Sequence, residues 1–552
     1  MYYYSAIIAF LVVYAASAKG LRTSVITADG IEIIGQTHDG VDSFLGIPYA
    51  QVSERFDVSR VKPLGNDNVN ALSFGPSCMQ SSNFVRPGTS LSEDCLFLNI
   101  WKPSQVNELN NPTTTMVWIH GGGFYAGSGS DELYNGAKMA REQNVILVTL
   151  NYRLGVFGFL AQNETTGEGG MNGIYDQINA LQWLNQYISY FGGDANDITI
   201  FGQSAGGVSV CLLSVSPLAQ GLFQRSIIES GQCLSERLSP LDPNEGAQVT
   251  RQLLDSLEVD TISELSSFTA EELVTASVGS TFTSIFDNPT MDGWVMPEQP
   301  VERYNRADVI NPTDLIVGAT SYDDPSLLGI PWFVYLFRAT FQFKSYVQGL
   351  FDDDATTNAI MEAYSPKLYY NRSRVRALAQ FTGDFLFRCS SRELAAIAAN
   401  NIAGKAYLYN FAHLNVKNDI ASTVIRWARN PSDWASHTAE LPFVFGNFEF
   451  TFNGPAAAPL PTPEEVLLST ELMTRWANFA KTGDPNASSE LPTDDWIAVP
   501  KTTSNGSAAA SEVPFYAFQG EGSYMSLAAS PENAKKVRQC SKIPGGVRSH
   551  SN

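Results

Sequence analysis

The sequence predicts an α/β fold, a large, mostly parallel twisted sheet flanked by helices, and three observations carry that prediction. Short apolar runs rich in β-branched residues recur along the chain: "MVWIH" (116–120), "VILVTLNY" (145–152), "ITIF" (198–201), "RSIIES" (225–230) and "DLIVGA" (314–319). They alternate little, as expected of strands covered on both faces. Helical patterns lie between them, the clearest being "DQINALQWLNQYISYF", which puts Ile178, Leu181, Leu184, Tyr187 and Ile188 on one side. Strand–helix–strand order selects a parallel sheet. From about 321 to 405 the pattern changes to long helical stretches, including "ALAQFTGDFLFRCSSRELAAIAAN", which read as helical insertions forming a wall on the sheet.

No break in composition divides the 552 residues, so residues 19–552 are expected to form one domain. The first residues, "MYYYSAIIAFLVVYAASAKG", read as a secretory signal over 1–18, with an apolar core from Ala6 to Tyr14 and then Ala16-Ser17-Ala18 as a cleavage pattern. That apolar run is shorter than the roughly 20 residues of a spanning helix. The closing "IPGGVRSHSN" has no apolar tail, so neither a C-terminal span nor a lipid-anchor signal is expected. The expected location is extracellular or in the lumen of the secretory pathway. Asn163, Asn371, Asn486 and Asn505 head glycosylation sequons.

The net charge is −21, with acidic residues dispersed rather than blocked. Such a field repels nucleic acid and anionic lipid surfaces. The six cysteines form no CxxC and no Cys/His cluster, so no zinc site is expected.

The chemistry starts at "ITIFGQSAGGVSV". Gly202-Gln203-Ser204-Ala205-Gly206 fits G-x-S-x-G between a strand and a helix, the signature of the α/β-hydrolase fold. A serine hydroxyl is a poor nucleophile until a base takes its proton, and a tight strand–turn–helix elbow projects Oγ clear of the backbone. Small flanking residues are needed where strand and helix crowd together. The helix N-terminus beyond the serine favours an oxyanion. In "VWIHGGGFYAGSGS" a glycine run follows a strand, which lets backbone N–H groups turn towards a substrate. The N–H groups of Gly122, Gly123 and Ala205 are expected to form the oxyanion hole. The run lacks the G-K-[ST] ending and the G-x-G-x-x-G spacing of phosphate-binding loops.

The chain has five histidines. His550 lies near the terminus, and His38 and His120 precede the serine, whereas this fold runs Ser, acid, His. His413, at the end of an aromatic strand, and His437, in the loop "DWASHTAELPFVFG", remain; the loop is the better place to present an imidazole. For the acid, "IVGATSYDDPSLLG" ends a strand just before Asp323 and Asp324. Adjacent side chains point differently, so only one of the two is expected to serve.

The chain resembles the type-B carboxylesterases, the cholinesterase-like family of α/β-hydrolases. The likeness rests on "FLGIPYA", "SEDCLFLNIW", "HGGGFYAGS", "NYRLGVFGFL", "MNGIYDQINALQWLNQYISYFGGD", "ITIFGQSAGG", "SHTAELPFVFG" and "WANFAKTGDPN". It implies hydrolysis of a small-molecule ester through an acyl-enzyme, with Ser204 as nucleophile, His437 as base and no metal or cofactor. The family's acid is a Glu in D-E-G, a position that Asp324 takes here. The resemblance also implies Cys78–Cys95 and Cys389–Cys540 disulfides, leaving Cys211 and Cys233 free. Where cholinesterases stack a tryptophan on the substrate's ammonium, the loop "MQSSNFVRPGTSLSED" has none and carries Arg86; Gln203 replaces a usual Glu. Both changes point to neutral, short-to-medium esters rather than choline esters. Phe84 and Leu91 are the only apolar candidates there for the hydrophobic flap of a related lipase. "LLGIPWFVYLF" offers Trp332 and Phe333 as an acyl-pocket wall, or as ordinary helix core. Two other functions fit the same fold, a neutral-lipid hydrolase and a non-catalytic adhesion or storage protein, although the latter usually lacks the serine or histidine.

Overall fold

The computed structural model describes residues 20–526 and residue 540, apart from gaps at 83–84, 86–87, 106–111, 163–168, 236, 278–287, 325–336, 352, 370–372, 414–434, 450–459, 488–490, 492–493, 502–512 and 520–522. The leader pattern, the sequons at Asn163, Asn371 and Asn505, and Phe84, Arg86, Trp332, Phe333 and His550 lie outside the described residues.

Twelve strands follow one another across the main sheet: β1 (Leu21–Ile26), β2 (Glu32–His38), β3 (Val41–Pro48), β4 (Phe97–Pro103), β5 (Thr113–Ile119), β6 (Ile146–Leu150), β7 (Gly193–Gln203), β8 (Arg225–Glu229), β9 (Asp314–Thr320), β10 (Ala406–Phe411), β11 (Phe515–Phe518) and β12 (Tyr524–Ser526). Their spatial order is β1-β2-β3-β4-β6-β5-β7-β8-β9-β10-β11-β12, and a short strand at Val69–Asn70 pairs with β2 as the thirteenth. From β6 to β11 every pairing is parallel, while both edges are antiparallel. The helices that matter for the site are α1 (Gly155–Phe159), α2 (Asn172–Tyr187), α3 (Ala205–Leu213), α4 (Arg374–Gly383), α5 (Cys389–Asn401), α6 (Leu441–Phe445) and α7 (Pro463–Thr482).

The continuous apolar runs resolve into two faces by the pleat's period of two. On one face Val117, Ile119, Ile198, Ile200 and Ile228 pack with Ile174, Ile178, Leu181 and Leu184 of α2 and with Val208 of α3. On the other, Met116, Trp118, Phe201, Ile227 and Tyr409 pack with Leu441 and Phe445 of α6 and Leu472, Trp476 and Phe479 of α7. The central strands are thus buried on both sides, which is why their sequences barely alternate. The long helical stretch forms a separate apolar cluster, with Phe343, Val347, Ile360, Tyr364 and Phe381 at its centre.

Three disulfides join Cys78 to Cys95, Cys389 to Cys540 and Cys211 to Cys233. The last corrects the expectation of two free thiols. Cys211 sits on α3 and Cys233 four residues beyond β8; α3 packs against that strand, which brings their Cα atoms to 5.7 Å. That is within the span a disulfide bridges. Asn486, the sequon asparagine within the described residues, is half-buried. Its Nδ2 donates to the Trp496 carbonyl at 2.9 Å and its Oδ1 accepts from Arg475 at 2.7 Å, so the amide is spent inside the fold. Among the described residues, no helix is long and apolar enough to cross a membrane.

Alkylating the native, unreduced protein is expected to label no cysteine. Replacing Cys211 and Cys233 together by Ala is expected to lower the unfolding free energy by about 3 kcal/mol, the scale for a loop of this size, as read from denaturant titration.

Candidate active site

Ser204 stands between β7 and α3 with φ 57° and ψ −127°, a backbone conformation that a non-glycine residue holds only under constraint. The constraint is visible. The Ser204 N–H donates to the Glu229 carbonyl at 2.9 Å, and the Ser204 carbonyl accepts from Val208 N–H at 2.9 Å. A Cβ on Gly202 would lie 2.6 Å from the Gly206 carbonyl oxygen, and one on Gly206 would collide with the Ile119 carbonyl. Strand and helix therefore meet backbone to backbone, as the two glycines predict. The start of α3 has no side-chain cap, so its first N–H groups are available to a ligand.

The glycine loop after β5 faces this elbow. Gly122 has φ +113°, a value open to glycine. Among the described residues, the N–H groups of Gly122, Gly123 and Ala205 donate to no protein acceptor. The loop is pinned from behind: His120 Nδ1–H donates to the Gly121 carbonyl at 2.8 Å, Tyr152 stacks on His120 and its hydroxyl donates to the His120 carbonyl, and Gly155 N–H donates to Phe124 at 2.7 Å. Burial lowers His120 to about 4, so at neutral pH it is an uncharged brace for the loop.

His437 is 2% exposed, and its Nδ1–H donates to Asp323 Oδ1 at 2.5 Å. The second Asp323 oxygen accepts from Thr320 N–H at 3.0 Å, which aims the carboxylate from the end of β9. The two loops are stitched together, since Tyr322 N–H donates to the Ala435 carbonyl and Tyr322 forms a parallel bridge with Ser436. This corrects the expectation of Asp324. The backbone turns here through a bond from Asp324 N–H to the Tyr322 carbonyl. Neighbouring side chains then diverge: Asp323 faces the imidazole, while the charge of Asp324, also buried, is felt by Tyr346 in the helical insertion. His413 stands elsewhere, 3.7 Å from Glu465 and against Phe443, with burial lowering its pKa.

Sequence reasoning did not place two neighbours of the imidazole, Gln203 and Phe387. Gln203 Nε2 lies 3.2 Å from His437 Nε2 and fills that nitrogen's acceptor direction; among the described residues the ring's hydrogen bonds run to Asp323 and Gln203, not to the Ser204 hydroxyl. Phe387 stacks on the ring with centroids 4.9 Å apart and planes 18° from parallel. Two further carboxyls, Glu229 and Glu440, are fully buried. Burial pushes Glu229 up to about 8, against the pull of a 2.7 Å bond from Trp476 Nε1–H. Glu440 is raised well above the usual range by burial, then by the charges of Glu229 and Asp323, and among the described residues neither of its oxygens has a hydrogen-bond partner on another residue. Burial thus favours the uncharged form of both glutamates.

Such a site needs a chain match to say which chemistry it performs. The model of the carboxylesterase family matches residues 21–537. The chain belongs to the carboxylesterase family. It is a carboxylic ester hydrolase, and its fold is that of solved structures titled PNB esterase (TM-score 0.72, 28% identity, 93% of this chain and 99% of that one) and a thermophilic PNB esterase (TM-score 0.74, 27% identity, the same coverage). Among curated proteins, this carboxylesterase is 32% identical over 483 residues to the para-nitrobenzyl esterase of Bacillus subtilis strain 168, covering 84% of this chain and 90% of that one. It is 31% identical over 495 residues to carboxylesterase 5A of Felis catus, covering 85% and 87%. The bile salt-activated lipase of Homo sapiens is 29% identical over 502 residues, covering 86% and 63%.

Asp323→Asn is expected to cut kcat on p-nitrophenyl esters by about 10³- to 10⁴-fold, the scale for losing the carboxylate that fixes the histidine tautomer; Asp324→Asn should stay within tenfold of the parent. The buried acid sets a pH dependence. Folded Glu229 keeps its proton up to about 8, whereas an ordinary glutamate gives its proton up near 4.5. Its contribution is therefore complete below pH 4.5, falls as pH rises, and is gone above about 8. Glu229→Gln, which still accepts from Trp476, should gain Tm relative to the parent between pH 5 and pH 8.

Proposed function

We propose that this carboxylesterase hydrolyses neutral, short-to-medium carboxylic esters through an acyl-enzyme, with Ser204 as nucleophile, His437 as base, Asp323 as the acid behind it, and the N–H groups of Gly122, Gly123 and Ala205 as the oxyanion hole. The observation that carries the reading is the buried Asp323–His437 contact beside a serine held at φ 57°. The carboxylate leaves Nδ1 protonated and Nε2 basic. As substrate enters, Nε2 exchanges the Gln203 amide for the Ser204 proton, and Oγ bonds to the carbonyl carbon. The carbonyl electron pair moves onto oxygen, where each fixed N–H is worth about 3–4 kcal/mol. Collapse expels the alcohol, which takes the proton back from His437. Water, deprotonated by the same nitrogen, then releases the acid and regenerates Ser204.

The neutral-ester preference is supported by the neutral Gln203 and by the absence of tryptophan between Cys78 and Cys95. Trp332 and Phe333 are proposed to wall the acyl side. Secretion is supported by the leader pattern over residues 1–18 and by three disulfides, which persist in oxidising compartments. The likeness to a bile salt-activated lipase supports a second reading, neutral-lipid hydrolysis; a rise in turnover once a substrate passes its solubility limit would favour it.

Ser204→Ala is expected to abolish the burst of p-nitrophenol from p-nitrophenyl acetate, and an uncharged organophosphonate should form its adduct on Ser204 of the parent protein. Wild-type turnover in Ser204→Ala would overturn the proposal.

A further inference from the structure

The segment that carries Phe387 is unusual. Between α4 and α5 the chain makes a π-helical turn over Asp384–Arg388, a wider turn that shifts every later side chain around the helix axis and is frequent at functional sites. Its side chains are tied inward. Asp384 pairs with Arg388 and accepts from Tyr364 Oη–H at 2.8 Å and Gln380 Nε2–H at 3.1 Å; Arg388 donates to the Ser321 carbonyl at 3.0 Å. The Leu386 carbonyl accepts from Gln232 Nε2–H at 2.8 Å. Gly383 abuts the backbone of Asp323, where a Cβ would come within 2.6 Å of the Asp323 N–H. The turn is thus anchored to the same loop that supplies the Asp323 carboxylate, and it delivers one 3% exposed aromatic ring onto His437.

We propose that Phe387 is a positioning residue for ester hydrolysis: its ring face holds the His437 imidazole against rotation about the Asp323 bond and stabilises the imidazolium that forms when the Ser204 proton is taken up. The proposal rests on the reading of Ser204 and His437 given above. An aromatic face carries partial negative charge and attracts a cation more strongly when both are shielded from water. The neutral imidazole of the resting protein gains little from that face. The imidazolium of the transition state gains much more, so the contact acts on the reacting state rather than on substrate binding. The aliphatic neighbours that could fill the same space would provide the first effect, confinement, without the second.

The test replaces Phe387 in the full-length protein by mono-, di- and trifluorophenylalanine, which drain charge from the ring face while nearly preserving its shape, alongside Phe387→Leu. Measured for each are kcat and KM on p-nitrophenyl acetate, the rate of Ser204 labelling by an uncharged organophosphonate, and Tm. The expected result is a stepwise fall in kcat and labelling rate along the fluorinated series, roughly 3- to 30-fold in total, with KM and Tm unchanged. Phe387→Leu should fall at least as far. A flat fluorinated series, with loss confined to Phe387→Leu and matched by a lower Tm, overturns the proposal alone, because the ring then only fills space. Failure of the parent protein to label at Ser204 overturns the catalytic reading and the proposal together.

Discussion

The parallel hydrogen-bonded ladder from β6 to β11 is the constraint on which the rest depends. Because neighbouring strands point the same way, their carboxyl ends lie side by side, and the segments that leave them must turn at one edge of the sheet. Ile119, Gln203, Glu229 and Thr320 are strand-terminal residues within that edge. The glycine loop, the strained serine, a buried acid and the Asp323 loop follow from them in that order. Residues hundreds of positions apart are thereby neighbours without any single long-range contact having to gather them.

What the edge gathers is electrostatically one-sided. Asp323, Glu229 and Glu440 are all buried, and burial favours the protonated form of the two glutamates. The carboxylate in hydrogen-bond contact with the imidazole is that of Asp323. Among the described residues, the oxygens of Glu440 and the hydroxyls of Ser230, Ser436 and Tyr409 are buried without a hydrogen-bond partner. Away from water, interactions between charges are screened less, so the contact between Asp323 and the imidazole counts for more than it would at the surface.

Much of this was legible in the residues. The sheet class followed from unalternating apolar runs, because burial on both faces removes the period-two signal that a half-exposed strand would show. The elbow was legible because backbone crowding admits only glycine at 202 and 206, and the glycine loop because glycine alone reaches φ +113° with ease. The acid was not, because Asp323 and Asp324 are chemically identical and only the turn at Tyr322 decides which one faces the ring. Motif alignment favoured the wrong neighbour by one position. The Cys211–Cys233 pairing was hidden for a related reason: six cysteines permit many pairings, and the packing of α3 on β8 selects one. Phe387 left no trace at all, since a phenylalanine in an apolar helical run looks like core until a π-helical turn rotates it onto a functional ring.

The Cys389–Cys540 bond gives the far end of the chain a mechanical stake in that ring. Cys389 is the next residue but one after Phe387, and the bond spans a separation of 151 residues. Position 540 is thereby tethered, through one covalent bridge and two peptide units, to the ring that stacks on His437. The bridge moors residue 540 to the helix that follows the ring.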